Sequence, residues 1–334
     1  MRFPQLTKKH YIIIAVVAIV ALGGFAIAKI GGNEIAIANP ASAVKETPKP
    51  KLQEGTLSGK ECENGSKRPL AVMYASDPEA RPLSGIGSAD MVIEMPVTEG
   101  GVTRMMALFQ CEEPAEYGSI RSARMDFIPF VLGFDALYLH WGGEYEALAK
   151  LDAGATNNID CLKFDGTTCR RKSNRPRPHN GFSTPTLLAE KIAQFKYSTV
   201  AKELGYKFEE GESEGILTSP TLYAGDFAVR WTYDPATNRY SRFRGGTVER
   251  DTLDNLQVQA DNVIVMKTTS QYLSILYNRV KTTGSGTMTL YKNGTAVSGT
   301  WEKSTDAARL VFKDAQGKEL KLNIGTTWIE IATQ

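Results

Sequence analysis

From Tyr11 to Ala28 the chain carries no charged residue, within the segment "LTKKHYIIIAVVAIVALGGFAIAKI". An apolar run close to ~20 residues is long enough to cross a hydrocarbon core of ~30 Å as a helix. Arg2, Lys8 and Lys9 precede it, and the positive-inside bias keeps them in the cytoplasm. The rest of the chain is then expected outside. A cleavable signal is the competing reading, because "NPASAVK" offers an Ala-x-Ala site ending at Ala43. That site lies well beyond the run, and the run is long for a signal peptide, so a retained anchor is expected. No cysteine follows the run closely enough to take a lipid. The expected layout is a cytoplasmic flank over 1–10, a transmembrane span over 11–30 and a tether over 31–65. This is a single-pass protein of the cell membrane whose C-terminal body is extracytoplasmic. His10 belongs to the flank, so His140 and His179 are the histidines left for the body.

The 334 residues carry 39 Lys and Arg against 37 Asp and Glu, so bulk charge gives no case for nucleic acid as a partner. Four cysteines, Cys62, Cys111, Cys161 and Cys169, suit an oxidising compartment, and four allow three pairings. Cys161 and Cys169 close the short loop "CLKFDGTTC" and are the favoured pair. A zinc site is the alternative, but there is no Cys-x-x-Cys knuckle, which favours disulfides or buried thiols.

The fold class expected is α+β: a mixed α/β domain over 66–208, then a mainly antiparallel all-β domain over 216–334. The acidic "EEGESEG" at 209–215 separates them. In the first domain "LAVMYA", "DMVIEM", "RMMALFQ" and "ALYLHW" read as buried strands. "STPTLLAEKIAQFK" reads as a helix capped by Thr184 with Pro185 at its first position. A shorter helix is expected from Glu144 to Leu151. In the second domain short strands alternate with turns, and Asn293-Gly294 is a strong hairpin signal. Trp231, Trp301 and Trp328 recur in strands, as core residues rather than a sugar-stacking platform.

"YGSIRSARMDFIPF" holds the principal candidate site. Asp126 is expected to cap a short helix ended by Gly133, which places Arg121 and Arg124 just before a helix N-terminus. Such an end already favours an anion, and guanidiniums add bidentate donors for phosphate or carboxylate. Arg104, after "EGG", can join them. The bland alternative pairs these arginines with Glu94, Glu99 or Asp126. His140, followed by Gly142 and Gly143, ends a strand where a proton donor or anion ligand can stand. The basic, Pro-broken "RRKSNRPRPHNGF" leads into His179 and Asn180. His140 and His179 are thus the catalytic candidates, and Arg104, Arg121, Arg124, Asn180, Gly142 and Gly143 the ligand-binding ones. Asp90 and Glu94 offer oxygens to Mg²⁺, the one cofactor left open. Period two, however, sets Glu94 with Val92 on the face opposite Met91, Ile93 and Met95, which points Glu94 to solvent. No Gly-x-Ser-x-Gly elbow, His-Glu-x-x-His helix or Walker loop is present.

The stretches "RPLAVMYASDPEARPLSGIGSADMVIEMPVTEGGVTRMMALFQ", "YGSIRSARMDFI", "DALYLHWGG" and "PHNGFST" resemble the N-terminal domain of the YerB-like bacterial lipoprotein family. "AVRWTYDPATNRYSRF" and the ending from "GTWEKS" to "GTTWIEI" are similar to that family's C-terminal domain. The resemblance covers Arg68 to Ala332 and implies a cell-surface location and a two-domain layout. It names no reaction. Arg104, Arg121, Arg124, His140, Gly142, Gly143, His179 and Asn180 fall in the matching motifs. The departure is the anchor, since family members use a lipidated cysteine. A fainter similarity is to LytR-CpsA-Psr phosphotransferases, which would make Arg104, Arg121 and Arg124 a diphosphate clamp beside Mg²⁺ on Asp90 or Glu94. In those enzymes an Arg-Asp pair stands where this chain has Arg-Ser or Arg-Met. The reading drawn is an envelope protein that binds an anionic wall polymer or lipid-linked ligand. A glycopolymer transferase and a purely structural or interaction protein are the alternatives, and nothing in the sequence sets the oligomeric state.

Overall fold

The computed structural model describes residues 51–99 and 101–334. The expected span at 11–30 lies outside these residues, and no described helix is long and apolar enough to cross a membrane. In the first half of the chain the apolar runs form β1 (Leu70–Ala75), β2 (Met91–Pro96), β3 (Thr103–Phe109), β4 (Leu137–His140) and β5 (Asn158–Asp160). Three helices interrupt or follow them: α1 (Ile128–Gly133), α2 (Tyr145–Asp152) and α3 (Pro185–Phe195). Thr184 caps α3 by accepting a hydrogen bond from the Leu187 N–H at 3.4 Å. The second half is built of strands: β7 and β8 below are preceded by the short β6 (Gly181–Ser183). They are β7 (Val229–Asp234), β8 (Arg239–Arg244), β9 (Asn262–Thr268), β10 (Ser270–Ser274) and β11 (Tyr277–Val280). Then come β12 (Gly284–Lys292), β13 (Thr295–Lys303), β14 (Val311–Asp314) and β15 (Thr327–Thr333). Asn293 and Gly294 turn β12 into β13 with φ of 55° and 69°, both left-handed as a two-residue hairpin loop requires.

Among the described residues, ten strands join in one mixed sheet of order β14-β13-β12-β9-β15-β2-β3-β1-β4-β5. The C-terminal strand β15 lies at its centre, parallel to β9 on one side and to β2 on the other. The two halves of the chain therefore share a sheet, with β15 of the C-terminal half seated between β9 and β2. The break at 209–215 is one of composition and does not divide the sheet. The physical reason is in "TWIEIA", whose residues Thr327–Ile331 are buried on both faces and need a strand on each edge. The tether expected to run to 65 is also too long. Gln53–Glu54 pairs with Glu61–Cys62, and Leu57 is fully buried. Two disulfides, Cys62–Cys111 and Cys161–Cys169, use all four cysteines.

Both faces of the sheet are covered. Met91, Ile93 and Met95 of β2 pack with α1 and α2, while Val92 faces a second core that contains Leu188 of α3 and Trp231 and Tyr240 of β7 and β8. This second cover overturns the solvent placement of Glu94. The period-two alternation holds, but β7 and β8 lie over the face it points to, and Glu94 is fully buried. There it meets Arg242 and Arg244 of β8. Arg244 donates to Glu94 through Nη1 at 2.8 Å and Nη2 at 2.6 Å, and to Glu249 through Nε. Arg242 donates to Glu94, Glu330 and, at 2.7 Å, Glu249. Its guanidinium packs against the rings of Trp328 and Trp231, 3.8 and 4.8 Å from their centroids, and the two rings meet each other edge to face at 5.1 Å. Trp231 and Tyr223 donate to Glu330, and Thr103 to Glu94. Trp231, Trp301 and Trp328 are all core residues.

Candidate functional site

The candidate site forms where β1 and β4 end and β3 begins. Arg104, in β3, sits opposite Ala75, the last residue of β1. The loop 119–124 is stitched along the same end. Ala75 N–H donates to Ser119 O at 3.1 Å, Arg121 N–H to Met73 O at 2.8 Å, and Trp141 N–H to Arg121 O at 2.9 Å. Ala123 N–H then donates to Gly142 O at 3.0 Å. A Cβ on Gly143 would lie 3.0 Å from that of Ala123. The missing Cβ of Gly143 thus lets two protein loops approach, while Gly142 supplies the left-handed φ of 59° at the turn.

Three arginines meet there with few counter-charges. Arg104 is 4 % exposed and donates through Nη1 to Asp77 Oδ2 and to Thr103 O, both at 2.9 Å. Burial lowers its pKa to about 9; Asp77 opposes the shift, while Arg121 and Arg124 add to it. Burial also lowers the pKa of Arg121, again against Asp77 and with Arg124. Arg121 makes one weak hydrogen bond, to Pro178 O at 3.5 Å. Arg124 lies over the ring of Tyr277 at 4.7 Å. Neither has a carboxylate partner among the described residues, and the Nε atoms of all three are buried without hydrogen bonds. His179 Nδ1 is 3.8 Å from Asp77 Oδ2 and also unbonded. Its pKa is lowered by burial, partly offset by Asp77.

These residues lie in a chain whose segment 57–198 matches the family description "Protein of unknown function (DUF3048) N-terminal domain", and whose segment 220–329 matches the C-terminal domain of the same family. The chain belongs to the DUF3048 family. It is 28 % identical over 273 residues to YerB of Bacillus subtilis (strain 168), a protein named as a candidate lipoprotein; the alignment covers 79 % of this chain and 81 % of YerB. The crystal structure of Bacillus subtilis YerB superposes with a TM-score of 0.76 at 27 % identity, over 84 % of this chain and 97 % of that one. The sheet-rich fold is thus shared within the family, and the expected resemblance to YerB-like proteins holds.

Other candidates from the sequence are placed elsewhere in this family member. His140 is fully buried, with Nδ1 2.8 Å from Gly142 O and Nε2 3.1 Å from Asn158 Oδ1, so both ring nitrogens serve the fold. Asn180 accepts from Arg171 at 3.0 Å and donates to Lys172 O. Asp90 accepts from Ser58 Oγ and from the N–H groups of Gln110 and Cys111, at 2.8 to 2.9 Å. With Glu94 committed to two arginines, neither expected Mg²⁺ ligand presents a free carboxylate. Among the described residues no group of three or more His, Cys, Asp and Glu is placed to hold a metal ion.

The helix start differs as well. Arg124, not Asp126, is the N-cap of a 3₁₀ turn over Met125–Phe127 that leads into α1. Glu144 Oε2 accepts from Met125 N–H at 3.2 Å, so a carboxylate already answers the helix end. Asp126 is buried and accepts from Val280 N–H at 3.0 Å. Arg279 Nε approaches its other oxygen to 3.1 Å, out of line for a hydrogen bond. Burial raises the Asp126 pKa to about 7, with Val280 N–H and Arg279 opposing and Glu144 adding. A folded pKa above the unfolded value of ~3.9 stabilises the native state below pH ~4 and loses that contribution as pH rises to about 7. Asp126→Asn is therefore expected to gain on the wild type between pH 4 and 8, by up to about 4 kcal/mol. Urea unfolding at both pH values reads the difference, and a gap independent of pH would refute it.

The residues the sequence reading missed are Arg242, Arg244, Glu249 and Glu330. A signal was present: Glu94 and Glu330 each interrupt an apolar run, and they face each other in register on β2 and β15. Two carboxylates inside adjacent buried strands demand a cation.

Proposed function

We propose that this protein is a membrane-tethered, extracytoplasmic cell-envelope protein that binds an anionic ligand, a wall polymer or lipid-linked phosphate, at Arg104, Arg121, Arg124 and His179. Export is supported by the basic-flanked apolar run Tyr11–Ala28, by the two disulfides and by the lipoprotein name of YerB. The observation that carries the binding reading is the contrast between two sets of arginines. Arg242 and Arg244 are saturated by carboxylates, whereas Arg121 and Arg124 crowd Arg104 with Asp77 as the nearby acid. Crowded, partly desolvated cations gain from a phosphate that takes bidentate hydrogen bonds. Binding is preferred to glycopolymer transfer because Asp90 and Glu94 are both held by protein donors.

Calorimetric titration of the full chain with inorganic pyrophosphate tests this reading. Each charge-assisted bond is worth ~1.5–3 kcal/mol, so Arg121→Ala with Arg124→Ala is expected to weaken binding about 100-fold or more. The same double variant is expected to fold at least as stably as the wild type, because it relieves repulsion. Equal affinity in the two proteins, or no heat from the wild type, would return these arginines to the scaffold.

A further inference from the structure

We infer that the β10–β11 hairpin inserts its tip into the headgroup region of an anionic lipid bilayer. Tyr272, Leu273, Ile275 and Leu276 are 56, 44, 79 and 61 % exposed, a run of large apolar side chains that no described residue covers. The hairpin is an antiparallel pair of its own, with an irregular register between Tyr272 and Ser274, and it adds to no other sheet. Its base, by contrast, is fixed. Asn278 N–H donates to Val97 O, Val280 N–H to Asp126, and Arg279 pairs with Asp126, Glu144 and Glu146. Tyr277 supports the Arg124 guanidinium. A rigid stem with an apolar, uncovered tip is built to enter something.

Charge decides what. There is no Asp or Glu between Asp261 and Glu302, so nothing on the hairpin repels a negative surface. Lys267 and Lys281 are exposed, line one depression at its base and have no carboxylate partner among the described residues. Apolar side chains at the tip, tyrosines beside them and free lysines behind match the depth order of an anionic interface, where amphipathic elements sink ~5–10 Å. A protein groove would need acids for the lysines and would leave no reason for their position behind the tip. The inference does not rest on the anion site, which can be empty while the hairpin inserts.

The test uses the full chain reconstituted in vesicles of phosphatidylglycerol or phosphatidylcholine with brominated acyl chains. Trp141, Trp231, Trp301 and Trp328 are buried, so Ile275→Trp supplies the quenchable signal at a position that packs against nothing. In phosphatidylglycerol its emission is expected to shift to the blue and lose about half its intensity to bromine, as insertion to interfacial depth implies. Lys267→Gln with Lys281→Gln in the same background is expected to reduce that loss toward the phosphatidylcholine value. Water-like emission without quenching in both lipids would overturn the inference. So would a blue shift without bromine quenching, which would mean that protein, such as a second copy of this chain, covers the tip.

Discussion

Arg242→Ala is expected to lower the stability of the body by about 3–5 kcal/mol, the cost of leaving buried carboxylates without their cation. Arg242 is fully buried and serves Glu94, Glu249 and Glu330 at once. Those carboxylates come from β2, the segment after β8, and β15, so one guanidinium ties the centre of the large sheet to the layer above it. Truncation also leaves a cavity beside the contacting Trp231 and Trp328 rings, which adds a packing loss. Urea unfolding of the full chain at pH 7 measures the change. Arg242→Met combined with Glu330→Gln is expected to recover a large part of the loss, because it removes an uncompensated charge and fills the gap. A single substitution as mild as a surface mutation would mean that water reaches the cluster and screens it. The pH profile carries a second sign. Burial would raise the Glu249 pKa, but Arg244 and Arg242 hold it at about 2. A carboxylate depressed in the folded state contributes stability above its unfolded pKa and loses it as pH falls toward 2. Removing either arginine should therefore flatten the acid limb of the stability curve.

Loss of the Cys62–Cys111 bridge comes next in size. Its cysteines are 49 residues apart, against 8 for Cys161–Cys169. Loop-closure entropy then assigns about 4 kcal/mol to the first and about 2.5 kcal/mol to the second. The longer bridge also pins the segment 53–62 to the end of β3, where Leu57 is buried and Ser58 Oγ donates to Asp90 at 2.8 Å. Cys62→Ser with Cys111→Ser is thus expected to destabilise more than Cys161→Ser with Cys169→Ser. Amide exchange should rise first around Leu57–Cys62. The reverse order of stability would show that local packing, not chain entropy, sets the contribution of each bridge.

Local chemistry was legible without coordinates. "LAVMYA" and "NVIVMKT" form strands with the bounds their apolar runs suggest. Thr184-Pro185 opens α3, and Asn293-Gly294 turns the β12–β13 hairpin. The gathering of Arg121 and Arg124 was also visible, because the two are three residues apart and only a short loop lies between them. The role of His140 was not legible. A histidine before two glycines at a strand end reads as reactive, and only the placement of Asn158 and the turn of the Gly142 carbonyl show that both nitrogens are engaged.

The sequence by itself determined the compartment-dependent chemistry, the elements and the clustering of neighbouring cations, since each depends on residues a few positions apart. Tertiary structure alone decided that β15 enters the middle of the sheet, that Glu94 turns inward, and that Arg242 rather than Arg121 receives it. Period two assigns a side chain to a face but does not say what covers that face. Partners separated by over a hundred residues meet only once strand order is fixed, and strand order is set by the burial of whole faces rather than by any local run.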